Sequence, residues 1–409
     1  MSGYRAPMTS LTATERAIIE RPDQAAMLGQ VLAWSAVNSG SRNMDGLAKM
    51  AALLADAFAV LPGTVTCACP MPVEAVRADG STAEVAHGEH LLVSVRPEAA
   101  RRLLFTGHMD TVFGIDHVFQ SYQWLDGNTL NGPGVADMKG GIAVMLAALQ
   151  AVEAVSAPDF GYDIIINSDE EVGSLSSAAL IAKYAHGKIA ALTYEPSALP
   201  DGTLAGARPG SGNFSITIRG KSAHAGRNPQ DGRNALVAAA DLAVRLKAAV
   251  RPGLSINPAK IDGGSANNVV PDMAVLRVNL RPLTSDDEVQ AKILLADLTR
   301  TIASEHDLHV HMHGGFARPP KVIDPAAARL FALVEQAGAD LGLSISHKDT
   351  GGVCDGNNIA ACGVPVIDTM GVRGGAIHSS DEYLIVDSLV ERARLSALSI
   401  LRILDRGIV

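Results

Sequence analysis

Residues 103–110 read LLFTGHMD, a short apolar run that stops at Gly107, His108 and Asp110. Such a run, ended by a breaker and polar residues, reads as a buried strand entering a loop. The same texture returns at 162–171, YDIIINSDEE, and at 190–196, AALTYEP, where Pro196 closes the run. Between these stretches lie two helical patterns. One is GGIAVMLAALQAVEAV (140–155), which follows the breaker-rich loop PGVADMKG (133–140), and the other is SLSSAALIAKYA (174–185), with serine at its start. Alternation of this kind predicts an α/β fold: a mainly parallel sheet flanked by helices. Ligands of open α/β sheets sit outside the carboxyl ends of the strands. Periodicity alone therefore gathers Asp110, Glu170, Glu171 and Glu195 along one edge.

The texture changes between about residues 208 and 318. NFSITIRG, RNALVAAADLAVRLKAAV, SINPAKI, MAVLRVNL, DDEVQAKILLADLTRTIAS and LHVHMH follow one another as β, α, β, β, α, β, the order of a ferredoxin-like α+β module. GARPGSG (206–212) and GGFARPP (314–320) read as hinges at its two ends. The expected organisation is a discontinuous catalytic domain, 1–207 and 319–409, with an inserted lid, 208–318. A chain of 409 residues is long enough for two cores. The return of the chain to its first domain also explains why a histidine of interest, His378, comes so late.

Composition narrows the function. Aromatic residues make up only 4% and the net charge is −9, so stacking platforms and basic patches for nucleic acid are not expected. A small acidic substrate held by local cations is compatible with that charge. Arg5, Glu15, Arg16 and Glu20 interrupt any signal-like apolar run, and no stretch reads as a membrane span, so the expected location is the cytoplasm. Four cysteines suit reduced thiols there. Cys67-Ala-Cys69 is too tightly spaced for a zinc ribbon and reads as packing.

The chemistry-bearing residues are few in number and varied in type. His108 and Asp110, two apart at a strand end, share a face, so Asp110 can accept one imidazole N–H while the other nitrogen binds a metal. Asp137 sits among glycines in GPGVADMKGG, where a lone carboxylate could bridge two ions roughly 3.5–4 Å apart. Adjacent Glu170 and Glu171 point differently in an extended segment, which suits one metal ligand and one general base. Asp137, Glu171, Glu195 and a bridging hydroxide would neutralise two divalent ions. His309, His311 and His313 lie on one strand face without a carboxylate motif and read as an exposed edge. Asp349 and Asp355 flank a glycine-rich loop and read as pocket wall.

HMDTVFG, GPGVADMKGG, SDEEVGS, YEPS, GKSAHAGRNPQDGRNAL, GGSANNVVPD and GGAIHSSDEYL, in this order, resemble the M20 metallopeptidases, in particular the glutamate carboxypeptidase and acetylornithine deacetylase branch. The resemblance runs from about residue 25 to the C-terminus. It implies two divalent ions, zinc by default with cobalt or manganese accepted. His108 and Glu195 would hold one ion, Glu171 and His378 the other, and Asp137 both. It implies Glu170 as general base, Asp110 as the acid orienting His108, and His224 as a lid group stabilising the oxyanion, often across a homodimer interface formed by the lid. Asn268 and Arg281, with Arg318 behind them, match residues that grip a substrate carboxylate. Cys354 stands where relatives commonly carry Ser or Thr, and SALPDGTLAGARPGSG after Glu195 has no clear counterpart. The implied reaction is hydrolysis of an amide next to a carboxylate-bearing amino acid, in a short peptide or an N-acyl amino acid. Carboxypeptidase is the first reading and N-acyl amino-acid deacylase the second. A non-catalytic binding protein on the same fold is the rival from another class.

Overall fold

The computed structural model describes residues 11–155 and 160–407, so the reading of Arg5 lies outside the described residues. Along the chain come strands β1 (Thr64–Ala68), β2 (His90–Val95), β3 (Arg101–His108), β4 (Phe160–Asn167) and β5 (Ala190–Thr193). Next come β6 (Ser211–Arg219), β7 (Leu254–Gly263), β8 (Met273–Pro282) and β9 (His309–Arg318), and finally β10 (Val366–Ile367). β1, β2, β4, β3, β5 and β10 form a six-stranded sheet in that order. Its four strands from β4 to β10 are parallel, and β2 and β1 extend one edge antiparallel.

Both faces of this sheet are covered, which is why its strands read as unbroken apolar runs. Leu103, Phe105, Ile164 and Ile166 pack into the main core with the helices Gly141–Val155 and Ser388–Arg406. Leu104 and Ile165 turn to the opposite face and meet Ile181 and Ile359. Among the described residues one helical stretch is long and apolar enough to cross a membrane, Val135–Val155; 89% of its apolar window is buried inside the fold.

β6 to β9 form a separate antiparallel sheet in the order β7-β8-β6-β9, with Ile216, Ile218, Leu242, Leu276 and Leu295 in a core of its own. This is the ferredoxin-like arrangement expected for the lid. β9 is an outer strand, and His309 and His311 on it are exposed. The hinge reading of GGFARPP is corrected: β9 continues through Gly314 and Gly315 to Arg318, paired with β6 across a bulge at Ser211/Gly212. Gly314 has φ +107, and a Cβ there would meet the Asn213 carbonyl at 2.1 Å, so only glycine lets the two backbones approach. The two segments that enter and leave the lid also pair with each other, Arg208 N to Lys321 O at 2.9 Å and Lys321 N to Arg208 O at 3.0 Å.

Two further features depart from expectation. The hairpin of Glu74–Val76 and Thr82–Glu84 rests on the helix-free face of the lid sheet. There Arg277 donates to the Val76 carbonyl (2.9 Å), Arg219 to the Gly80 carbonyl (3.2 Å), and Thr217 becomes buried. Cys67 and Cys69 are not packing residues. Both are exposed, Cys67 on β1, the outer strand of the six-stranded sheet, and Cys69 just past it; all four cysteines are free thiols.

Candidate metal centre and cleft

The strand ends bring the expected residues together. His108 is the last residue of β3, Glu170 and Glu171 open a single helical turn just past β4, and Glu195 lies two residues beyond β5. Asp137 sits in the non-helical part of the loop before helix Gly141–Val155, next to a cis Asp137–Met138 bond. His378 occupies a left-handed position, φ +64, in the loop after Gly374–Gly375.

Asp137 divides its two oxygens between the histidines: Oδ1 is 3.1 Å from His108 Nε2, and Oδ2 is 3.2 Å from His378 Nε2. Glu195 Oε2 lies 3.6 Å from His108 Nε2 and Glu171 Oε2 3.1 Å from His378 Nε2. Donor atoms of His108, Asp137 and Glu171 converge, as do those of His108, Glu170 and Glu195. His108 Nδ1 faces the backbone carbonyl of Asp110 at 3.0 Å, with the Asp110 carboxylate at 3.4 Å. That carboxylate also accepts from Glu170 N (3.1 Å), Glu171 N (3.2 Å) and Ser41 Oγ (2.7 Å). Asp110 thus fixes the glutamate turn as well as the histidine, a link that its spacing from His108 does not reveal.

The electrostatics of the cluster describe a place short of positive charge. Burial lifts Glu170 well above the usual carboxylate range despite the nearby Arg318, and it lifts Glu195 too. Burial and the charge of Asp137 push Glu171 up to about 7. Hydrogen bonds with Asp137 and Glu171 push His378 up to about 11. Burial alone would lower His108, but the charge of Glu195 and its bonds to Asp110 and Asp137 hold it well above the histidine range. Groups that must share protons to stay buried are groups a divalent cation would satisfy instead, and imidazole with carboxylate is the donor set for zinc, cobalt or manganese. The residues fit divalent metal ions.

Arg318 lines the cleft and also braces the glutamate turn. Its side chain is buried, with Nη2 2.6 Å from Glu170 Oε1. The N–H bonds of that nitrogen are directed at the Glu170 carbonyl (3.0 Å) and Ser174 Oγ (2.9 Å). Asp355, read as pocket wall, stands behind it and accepts from Ser174 Oγ and from Asn167 Nδ2 (2.8 Å). Asp349 likewise holds a loop, accepting from Ala207 N at 2.8 Å.

Two cavities meet at Glu170 and His378. One, about 430 Å³, runs from Asp137 and Glu195 past Ser197 and Ala198 to Arg208, Cys354 and Thr369, so the segment that follows Glu195 forms part of its wall. The other, about 610 Å³, opens toward the lid sheet at Asn213, Asn279 and Arg281. Arg281 donates to the Gly351 carbonyl at 2.7 Å. His224 and Asn268 line neither cavity. Both are exposed in the lid and are held side by side, with Ala225 N donating to Asn268 O at 2.8 Å.

Sequence reasoning missed the far end of the first cavity. Arg208 grips Asp368 with two bonds, 2.8 and 3.0 Å, and Lys321 Nζ reaches the same carboxylate at 2.6 Å. Against the cost of burial, the two cations hold Asp368 down at about 2. More than a hundred residues separate Arg208 from each partner, so no local pattern announces the group.

Residues 104–402 match the model of peptidase family M20/M25/M40. Carboxypeptidase G2 of Pseudomonas sp. (strain RS-16) is 30% identical over 326 residues, 76% of each chain. Succinyl-diaminopimelate desuccinylase of Psychrobacter arcticus is 30% identical over 342 residues, 76% of this chain and 81% of that one. The crystal structure of aminopeptidase PepT from Bacillus cereus superposes with a TM-score of 0.72 at 21% identity, covering 94% of this chain and 100% of that one. The chain belongs to peptidase family M20/M25/M40 and is a metal-dependent hydrolase.

Proposed function

We propose that the protein hydrolyses an amide bond next to a carboxylate-bearing amino acid, with two divalent ions, zinc by default. His108 and Glu195 would hold one ion, Glu171 and His378 the other, and Asp137 would serve both. The observation that carries this reading is the divided carboxylate of Asp137, one oxygen toward each histidine. The ions would supply Lewis acidity and lower the pKa of water at the centre. Glu170 takes the proton of the attacking water and returns it to the leaving amine nitrogen. Arg318, which lines the lid-side cavity, also positions Glu170, since its Nη2 lies against that residue and Ser174. Asp110 holds both His108 and the glutamate turn.

Arg281 in the lid-side cavity suits the carboxylate of the released amino acid, since a planar guanidinium matches a carboxylate fork. His224 and Asn268 are exposed and away from the cleft of their own chain, which supports a lid-mediated homodimer in which they serve the partner's cleft. His224 would then stabilise the developing oxyanion. Carboxypeptidase action on a short acidic peptide is the first reading. Deacylation is the second, favoured by Arg208 at the far end of the first cavity, where an acidic acyl group would find a buried cation. The free thiols suit a reducing compartment, the cytoplasm.

A panel of dipeptides and of acetyl-, succinyl- and aroyl-amino acids, assayed after chelation with zinc, cobalt or manganese restored, tests the proposal. Metal-restored release of an amino acid is the expected result, and the preferred partner on the acyl side separates the two readings. Two bound ions with no turnover across the panel would overturn the substrate class.

A further inference from the structure

The last motif of the chain, GGAIHSSDEYL, contains an acid that the reaction scheme leaves unused. Glu382 is 1% exposed, and its carboxylate accepts three backbone N–H groups from one loop. Gly134 N donates to Oε2 at 3.1 Å, and Ala136 N and Asp137 N donate to Oε1 at 2.9 and 3.0 Å. Its own backbone is anchored in turn, because Asn131 Nδ2 and Gly132 N donate to the Glu382 carbonyl at 2.7 and 3.3 Å.

This loop cannot satisfy those donors by itself. Gly134 is left-handed at φ +71, and Asp137 departs from helical geometry at φ −114, ψ 89. Three buried N–H groups without acceptors would each cost about 1–3 kcal/mol. A second carboxylate buried close to Asp137 is electrostatically unfavourable, so it must bring something a neutral acceptor would not. A carboxylate presents acceptor sites on two oxygens, enough for three donors in fixed directions.

We infer that Glu382 is a positioning residue of the metal centre: it holds residues 134–137 so that the two oxygens of Asp137 divide between His108 and His378. The inference rests on the proposed bridging role of Asp137. Outer carboxylates of this kind set metal affinity through the ligands they hold.

The test is E382Q. Glutamine keeps one acceptor oxygen but turns its amide nitrogen, a donor, toward a donor. Metal affinity is read by chelator competition, and geometry by the visible absorption of the cobalt-loaded protein. The expected result is affinity for one of the two ions weakened on the order of 10–100-fold, with a changed cobalt spectrum. E288Q, which removes a glutamate paired with Lys292 on the lid helix Ser285–Glu305, should leave both unchanged. Wild-type affinity and spectrum in E382Q overturn the inference. If E382Q does not fold, E382D, which keeps the charge and shortens the reach, is judged by the same two readings. A wild-type protein that binds fewer than two ions overturns the bridging role itself, a separate failure.

Discussion

Two buried charge clusters border the same cavity, and they are balanced in opposite ways. Around His108 and His378 the fold gathers Asp137, Glu170, Glu171 and Glu195 with one permanent cation, Arg318, beside them; Glu170, Glu171 and Glu195 are pushed up toward holding protons. At the other end Asp368 has two cations, Arg208 and Lys321, and is held down at about 2. Burial is similar in both places, so the sign of the shift follows the counter-charge that the fold supplies. The first cluster is completed only by cations from solution. In the second the single acid already has its counter-charge, with one positive charge to spare, and Arg208 forms cavity wall.

The largest effect should come from the first cluster. E170Q is expected to lower kcat on the order of 10²–10⁴-fold while bound metal is unchanged, because it removes a proton acceptor and no assigned ligand. Turnover and metal content measured on the same sample decide the matter. If metal is lost together with activity, Glu170 belongs to the ligand set through its convergence with His108 and Glu195, and the cluster must be redrawn.

Asp368 tests the other side. D368N leaves Arg208 and Lys321 buried without their anion, and breaking a buried pair in this way costs about 3–5 kcal/mol of stability. Urea unfolding measures that loss; a variant as stable as wild type would show that the two cations find other partners. A smaller effect lies in the acid range. Asp368 has its folded pKa depressed from 3.8 to about 2, so its contribution is complete above 3.8 and lost as pH falls toward 2. At 1.36 kcal/mol per pKa unit this amounts to about 2 kcal/mol. The difference between wild type and D368N should shrink by that amount across the window.

The contrast also explains what could be read from sequence. Strand ends such as LLFTGHMD and YDIIINSDEE are legible because periodicity and breakers are local, and the rule for open α/β sheets does the rest. His378 lies in a loop with no periodic signal of its own, and the motif around it, not its position, made it visible. Arg208, Lys321 and Asp368 form no pattern in sequence because each meets the others only through the fold. The hinge at 314–320 was misread since glycine usually breaks a strand, whereas Gly314 here permits one to continue. Cys67 and Cys69 were misread because cysteine is usually buried, and only the sheet order shows β1 to be an edge.

The lid-side cavity offers an intermediate effect. R281A is expected to lower kcat/KM by about 10–100-fold, mostly through KM, the equivalent of 1.5–3 kcal/mol for a charged hydrogen bond to a substrate carboxylate. Substrates in which that carboxylate is amidated should lose the difference between wild type and variant. A change in kcat alone would instead tie Arg281 to the Gly351 loop that it holds.

The smallest effect is expected away from both clusters. Cys67 on the outer strand and Cys69 just past its end are exposed, whereas Cys354 is buried in the cavity wall with its thiol pushed well above the usual range by burial. A maleimide should therefore label Cys67 and Cys69 and spare Cys354. C67S/C69S should change stability by no more than about 0.5 kcal/mol and leave turnover as it was. Peptide mapping after labelling distinguishes the sites. Inactivation that tracks Cys354 modification would mean that the reagent reaches this thiol through the cavity it lines.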